Sequence, residues 1–546
     1  MVIGSPIPVV LFFWRMKIID EKQGATMKNT ILRKHKTVSS MILAATVALS
    51  MFGTGCGKKA ETDNTKTGGI SSSDQESGSV SQSTSAPDES GTTTDSTPDT
   101  TETTADSEPT SESTLAPYAS LDEILIRGDK DYYVPFSNPD HSYSSVQNGW
   151  TAPVRKQGAG GCYAYASVTA MQIKYMQDHG ELIDINPVDV IYRIFENYEE
   201  GDPFDEEKIY VKGVEPTNLG GGVMDVVSVL CAEPINGYVV TDASAFSGLS
   251  IDETKELIKE YGGLTIPVDY QRECKVIHGY ETQNNQNPST DHVATIVGWD
   301  DDFPADCFKT PASQNGAWLV QNSFGINWGN CGYYFVSYDQ AIRGMFGLEA
   351  SDEYSSAIAY GRFALATLSA PENAEKLEGA TNISDLSQEE VLSWADIEAA
   401  SIYRQEGSVA AIGFWTVIQD QPYTIELRDG EFGEVLATKS GSFEATGYHT
   451  VKLDTPFDVT TFTVVVKTKG LGSFEGPSRE STASTAYASN YPAHFEGKTE
   501  PGRSFIQISG EWVDVTDEEI LTKMCLEKID EDTNTIGDPC ITVLFD

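Results

Sequence analysis

Gln157-Gly158-Ala159-Gly160-Gly161-Cys162-Tyr163-Ala164-Tyr165-Ala166 is the stretch that decides the fold. A glutamine, a glycine-rich loop and a cysteine lead directly into a run with helical character, Ala164 to Met176. A cysteine at the N-terminus of a helix feels the positive end of the macrodipole, which favours thiolate over thiol. The glycines let backbone N–H groups and an incoming carbonyl approach closely. A lone cysteine reads more simply as half of a disulfide or as a buried thiol. The residues downstream change that reading.

His292 lies in Asp291-His292-Val293-Ala294, and Asn322 lies in Val320-Gln321-Asn322-Ser323-Phe324-Gly325. They follow Cys162 by 130 and 160 residues. A thiol attacks a carbonyl only as thiolate, so it needs a base and a cationic partner, and His292 can be both. Asn322 would accept from the other imidazole nitrogen and hold the ring in its productive orientation. Gln157 would donate its amide to the developing oxyanion together with the Cys162 backbone N–H. One such donor is typically worth about 3–4 kcal/mol. Gln157, Cys162, His292 and Asn322 together read as a catalytic site that hydrolyses peptide bonds.

The segment Pro153–Gly158 through Cys162–Ser167 resembles the nucleophile region of papain-family cysteine peptidases. Asp291–Trp299 resembles their histidine strand, and Trp318–Tyr334 resembles their asparagine motif. The three motifs stand in the family's order. The resemblance implies an α+β papain-like two-subdomain fold. Gly220-Gly221-Gly222 before a helix resembles the family's glycine wall, where backbone pairs with an extended substrate like an added strand. By the same resemblance Gly221 and Gly222 bind substrate, and the Asp291 carbonyl accepts from its backbone. Three departures stand out. The loop from Gln157 to Cys162 is one residue shorter than usual and could displace Gln157 from the oxyanion. It lacks a second cysteine before the nucleophile. Tyr163 and Phe324 replace tryptophans, swaps expected to keep the packing over the Asn–His pair.

Outside these motifs the chain has several textures. Residues 28–36 are basic, a short apolar run follows from Met41 to Phe52, and Gly53-Thr54-Gly55-Cys56 closes it. This is a leader for export, with Met27 as the start it implies. The small residues before Cys56 resemble a lipoprotein signal, so Cys56 is the candidate lipidation site; plain secretory cleavage nearby is the other reading. From Glu61 to Glu112 there are twelve acidic side chains and one basic, Lys66. Residues 57–116 cannot bury enough apolar surface to offset their ordering entropy and read as a disordered acidic tether. Helical runs precede strands over 117–355, an α+β order. Residues 356–546 carry short alternating strands at the spacing of an all-β sandwich. Gly447–Val451 and Pro501–Ile506 resemble the lectin-like domain that accompanies bacterial papain-family members.

The formal net charge is −45 and the pI about 4.3, which excludes a basic nucleic-acid face. No cofactor motif is present. Cys231, Cys274, Cys307 and Cys331 contain no CxxC pair, which argues against zinc, and no metal site is expected. Cys525 with Cys540 is the first disulfide to test, with reduced buried cysteines as the alternative. Asp300-Asp301-Asp302 reads as a solvated loop rather than a calcium site, and His278 as a surface histidine. The expected partners are protein or peptide substrates, a possible cell-surface ligand of the sandwich, and a membrane met only through the lipid anchor, on the outer face of the cell membrane, or no membrane where the protein is secreted. Two other functions remain open. One is an inactive papain-like protein that binds through its sandwich. The other is a cell-wall amidase, against which the Asn322 motif argues.

Overall fold

A computed structural model describes residues 118–204, 206–270, 275–286, 290–342, 344–362, 366–373, 387–476, 478–485, 489–517, 520 and 536–546. The leader, Cys56, the acidic tether, Cys274 and Cys525 lie outside the described residues.

The helix expected after the glycine loop runs Cys162–His179 and is buried on nearly every side through its first three turns. Small and aromatic residues alternate there, so it serves as the central post of a core rather than as an amphipathic cover. It stops at Gly180, whose φ of 73° is the left-handed cap that glycine adopts without a Cβ penalty. A second helix, Ile251–Tyr261, starts on a capping box in which Ser250 and Glu253 satisfy each other's backbone N–H groups. Both helices lie against a long, largely antiparallel sheet.

The strand His292–Asp300 is buried along its whole length. It lies between Leu264–Val268 and Ala317–Gln321, with Tyr333–Ser337 beyond. Burial on both faces explains why its sequence is a continuous apolar run without alternation. The expected α+β architecture followed by an all-β domain is what the chain adopts.

The two halves share one sheet. Thr446–Val459 pairs antiparallel with Val239–Phe246, so a strand of the C-terminal half continues the sheet of the N-terminal half. Thirteen described strands join in this way, from Ser356–Ala359 at one edge to Lys275–Ile277 at the other. Gly447, at φ 133°, stands so close to the Ala243 carbonyl that any side chain would collide with it. His449 is buried at this seam, with Nδ1 2.7 Å from an Asp242 carboxylate oxygen and Nε2 3.1 Å from the Ala445 carbonyl. The Gly447–Val451 motif is therefore spent on joining the halves. A six-stranded sheet, Val435–Phe443 through Glu511–Asp514, covers the far end. Ile412, Phe414, Leu427, Val464 and Val543 fill the sandwich between the two sheets.

Cys540 is a free, buried thiol. This is the alternative of a reduced, buried cysteine; its candidate disulfide partner Cys525 lies outside the described residues. Cys231, Cys307 and Cys331 are free as well. Burial pushes the thiols of Cys231 and Cys307 up to about 12, which suits packing rather than nucleophilic chemistry. No helix among the described residues is long and apolar enough to cross a membrane.

Candidate active site

Cys162 is the first residue of its helix. Gly161 precedes it without a capping side chain, and its carbonyl accepts from Ala164 N at 3.0 Å and Tyr165 N at 3.2 Å. Cys162, His292 and Asn322 are each only 3% exposed. The Thr295 hydroxyl, on the strand of His292, donates to the Ala166 carbonyl at 3.0 Å. Gly262 and Gly263 enter the strand Leu264–Val268, which pairs with Ile296 back to His292, and both face Ile173 farther along the helix. Cys162 opens the helix and His292 opens the strand packed against it.

His292 Nε2 lies 2.8 Å from Asn322 Oδ1. That oxygen also accepts from Ser323 N at 2.8 Å, which fixes the amide's orientation. Tyr270 and Phe324 pack around the imidazole, with centroids 5.3 Å and 4.9 Å away. Trp328 stands edge-on to Phe324 at 5.4 Å. This wall keeps water off the hydrogen bond and strengthens it in a low local dielectric. Phe324 thus does what its position in the motif implied. Tyr163 does not, and that expectation is corrected. Its ring lies beneath Gly221, where a Cβ would come within 2.8 Å of it. The Asp291 carboxylate accepts from Tyr270 N at 2.7 Å and so anchors the aromatic wall.

Gln157 stands across from the asparagine motif. Gln157 N donates to the Ser323 carbonyl at 2.8 Å, and Gly325 N donates to the Arg155 carbonyl at 3.0 Å. The Ser323 hydroxyl donates to Gln157 Oε1. Sequence reading passed over Ser323, although the Asn-Ser step was the available signal. Holding the oxygen of the Gln157 amide assigns its nitrogen as the free donor. Ser323→Ala is expected to lower kcat about tenfold with KM little changed, because an oxyanion donor acts only in the transition state. The same change made on a Gln157→Ala background should cost nothing further. Equal losses on both backgrounds would show that Ser323 acts elsewhere.

The shortened loop is seated rather than loose. A Cβ on Gly158 would come within 3.0 Å of the Thr217 carbonyl. One on Gly160 would collide with the carbonyls of Asn218 and Leu219. The glycine segment follows directly and leads into the helix Val223–Leu230. Gly222 N donates to Asp225 Oδ2 at 2.7 Å. Burial pushes the Asp225 carboxyl up to about 7, opposed by that N–H donor. A carboxyl raised above its unfolded value binds an extra proton in the fold between about pH 4 and 7. It therefore contributes stability at low pH that fades as pH rises through about 7. Asp225→Asn keeps an acceptor for Gly222 and cannot ionise. Relative to wild type it should gain up to about 4 kcal/mol of unfolding free energy from pH 4 to pH 8. Parallel denaturation curves for the two proteins across that range would refute this.

Asp300 corrects the reading of a solvated acidic loop. It is buried, and its carboxylate accepts from Phe136 N at 2.7 Å, Tyr133 OH at 3.0 Å and Asp302 N at 3.0 Å. Asp301 accepts from Lys255 Nζ and Tyr338 OH, both at 2.6 Å. The run staples the entering chain to the sheet. His278 lies at the surface, stacked on Tyr132 with centroids 3.6 Å apart.

The profile of the papain family cysteine proteases matches residues 234–355, and that of the lectin like domain matches residues 390–528. The solved structure of the cysteine protease and lectin-like domains of Cwp84, a surface layer associated protein of Clostridium difficile, superposes with a TM-score of 0.53. It shares 16% identity and covers 74% of this chain and 88% of that one. A second Cwp84 structure, after propeptide cleavage, gives the same TM-score at 15% identity, covering 74% of this chain and 98% of that one. The chain has a papain-like fold followed by a lectin-like all-β domain. Cathepsin K of Mus musculus is 21% identical over 206 residues, 35% of this chain. Cathepsin K of Gallus gallus is 23% identical over 208 residues, also 35% of this chain. The chain spans 57% of the length of these curated relatives. The papain-family match begins after Cys162, so the nucleophile helix rests on the structure and its motif.

Proposed function

We propose that the protein is an exported thiol endopeptidase. The observation that carries this is the 2.8 Å contact of His292 Nε2 with Asn322, on a strand that packs against the helix opened by Cys162. With Nε2 engaged, Nδ1 is the ring nitrogen left to take the Cys162 proton. The thiolate attacks a substrate carbonyl, and the oxyanion forms against the Cys162 N–H and the Gln157 amide nitrogen. The C–N bond then breaks as His292 returns the proton to the leaving amine. Water, deprotonated by His292, hydrolyses the thioester and regenerates the thiol. An extended peptide pairs with the backbone of Gly221, lies against Gly222, and meets the Asp291 carbonyl. Export, lipidation of Cys56 and the acidic tether would hold this chemistry away from the cell surface, with the lectin-like half free to meet a surface ligand.

A thiol-directed epoxide tests the reading. It should add once, at Cys162, and stop cleavage of casein, while peptidoglycan fragments stay intact with or without it. A folded protein that takes up no epoxide would instead be a binding protein built on this fold. Cleavage of the peptidoglycan fragments would make it an amidase.

A further inference from the structure

The glycine segment is held from two sides, and one of them belongs to the lectin-like half. On one side, just before the glycines, Gly158 and Gly160 of the nucleophile loop pack against the carbonyls of Thr217, Asn218 and Leu219. On the other side lies the hairpin Arg479–Ser484 and Ser489–Phe495. This hairpin leaves the sandwich and pairs with Ile209–Val211 of the papain-like half, in the register Phe495 with Ile209 and Ala493 with Val211. Two hydrogen bonds frame the pairing: Lys212 N donates to the Pro492 carbonyl at 3.0 Å, and Glu496 N donates to the Lys208 carbonyl at 3.1 Å. Ala493 and Phe495 are fully buried in the same core as Cys162 and Tyr163. At the end of the hairpin, Leu219 bridges antiparallel to Thr485, and Gly220 N donates to the Ser484 carbonyl at 2.9 Å.

A run of three glycines loses more conformational entropy on ordering than any other tripeptide. A substrate that pairs with it must meet that cost unless the segment is already fixed. Here the N–H of Gly220 is taken by Ser484 and that of Gly222 by Asp225, which leaves Gly221 between two anchored neighbours. We propose that the two hairpin strands, Arg479–Ser484 and Ser489–Phe495, are a brace that holds the glycine segment in its peptide-pairing conformation. The lectin-like half is then a working part of the substrate-binding wall. This rests on the thiol-peptidase reading and adds a positioning role for Gly220, Ser484 and the hairpin pairing.

Two full-length variants test it. Gly220→Pro removes the donor to Ser484, and Leu219, at φ −77° and ψ 142°, already has the conformation that a following proline requires. Glu496→Pro removes the donor to Lys208 and loosens the hairpin without touching the glycines. Each is compared with wild type on a substrate with three residues on the acyl side, on a single-residue amino acid ester, and by iodoacetamide labelling of Cys162. Hydrogen exchange of the Gly220 and Gly221 amides is followed in wild type and Glu496→Pro. The brace predicts a loss in kcat/KM of about tenfold or more on the long peptide, with ester hydrolysis and labelling within threefold of wild type. It also predicts a protected Gly220 amide that becomes fast-exchanging in Glu496→Pro. An unprotected Gly220 amide in wild type, undiminished peptide hydrolysis, or parallel losses on peptide and ester would each overturn it. A wild type that neither labels nor hydrolyses the ester overturns the peptidase reading itself, and the binding-wall claim with it.

Discussion

Cys162→Ala should lower casein hydrolysis by at least about 10⁴-fold, to the level of background. The loss is large because nucleophile and base act as a unit, and without the sulfur no acyl-enzyme can form. The fold should survive. The change removes one buried sulfur from the start of a helix whose remaining turns are packed against the core. The cost should be about 1 kcal/mol, a shift in melting temperature of about 1 °C for a chain of this size. The paired measurement matters: residual cleavage above background in a folded Cys162→Ala protein would refute the nucleophile.

Gly160→Ala should be the next most damaging change, with kcat/KM down about 100-fold. Its Cβ has no room, because the obstacles are the backbone carbonyls of Asn218 and Leu219 and not the end of a flexible side chain. Either the nucleophile loop or the glycine segment must move by about 1 Å, and a misplacement of that size costs on the order of 100-fold. Gly158→Ala provides the graded control, since its Cβ meets the Thr217 carbonyl at a marginal 3.0 Å. Its loss should be several-fold smaller. A Gly160→Ala protein as active as wild type would show that the short loop does not set the oxyanion geometry. The one-residue deletion between Gln157 and Cys162 would then be without catalytic consequence.

Much of the core layout was legible because its periodicities are strong. The run Ala164–His179 contains no breaker until Gly180, and the helix ends there. The apolar run His292–Trp299 is too continuous for a half-exposed strand, and it became the buried centre of the sheet. Gly447-Tyr448-His449 was legible only as a resemblance. Nothing local in those residues says that Gly447 would sit against Ala243 or that His449 would face Asp242. Asp300 misled for the same reason: three adjacent carboxylates look solvated until Phe136 N and Tyr133 OH arrive from 164 and 167 residues away. Ser323 was passed over because its value lies in reaching Gln157, 166 residues back along the chain.

The order of the motifs, the helix that Cys162 opens and the burial of the His292 strand follow from the amino acids alone. Each depends on local spacing and on the apolar character of neighbours in the chain. The continuous sheet through both halves, the hairpin on the glycine segment and the seat of the short loop were decided only by tertiary structure. They depend on backbone N–H and carbonyl groups that every residue carries, so side-chain identity leaves no trace of which distant partner they meet.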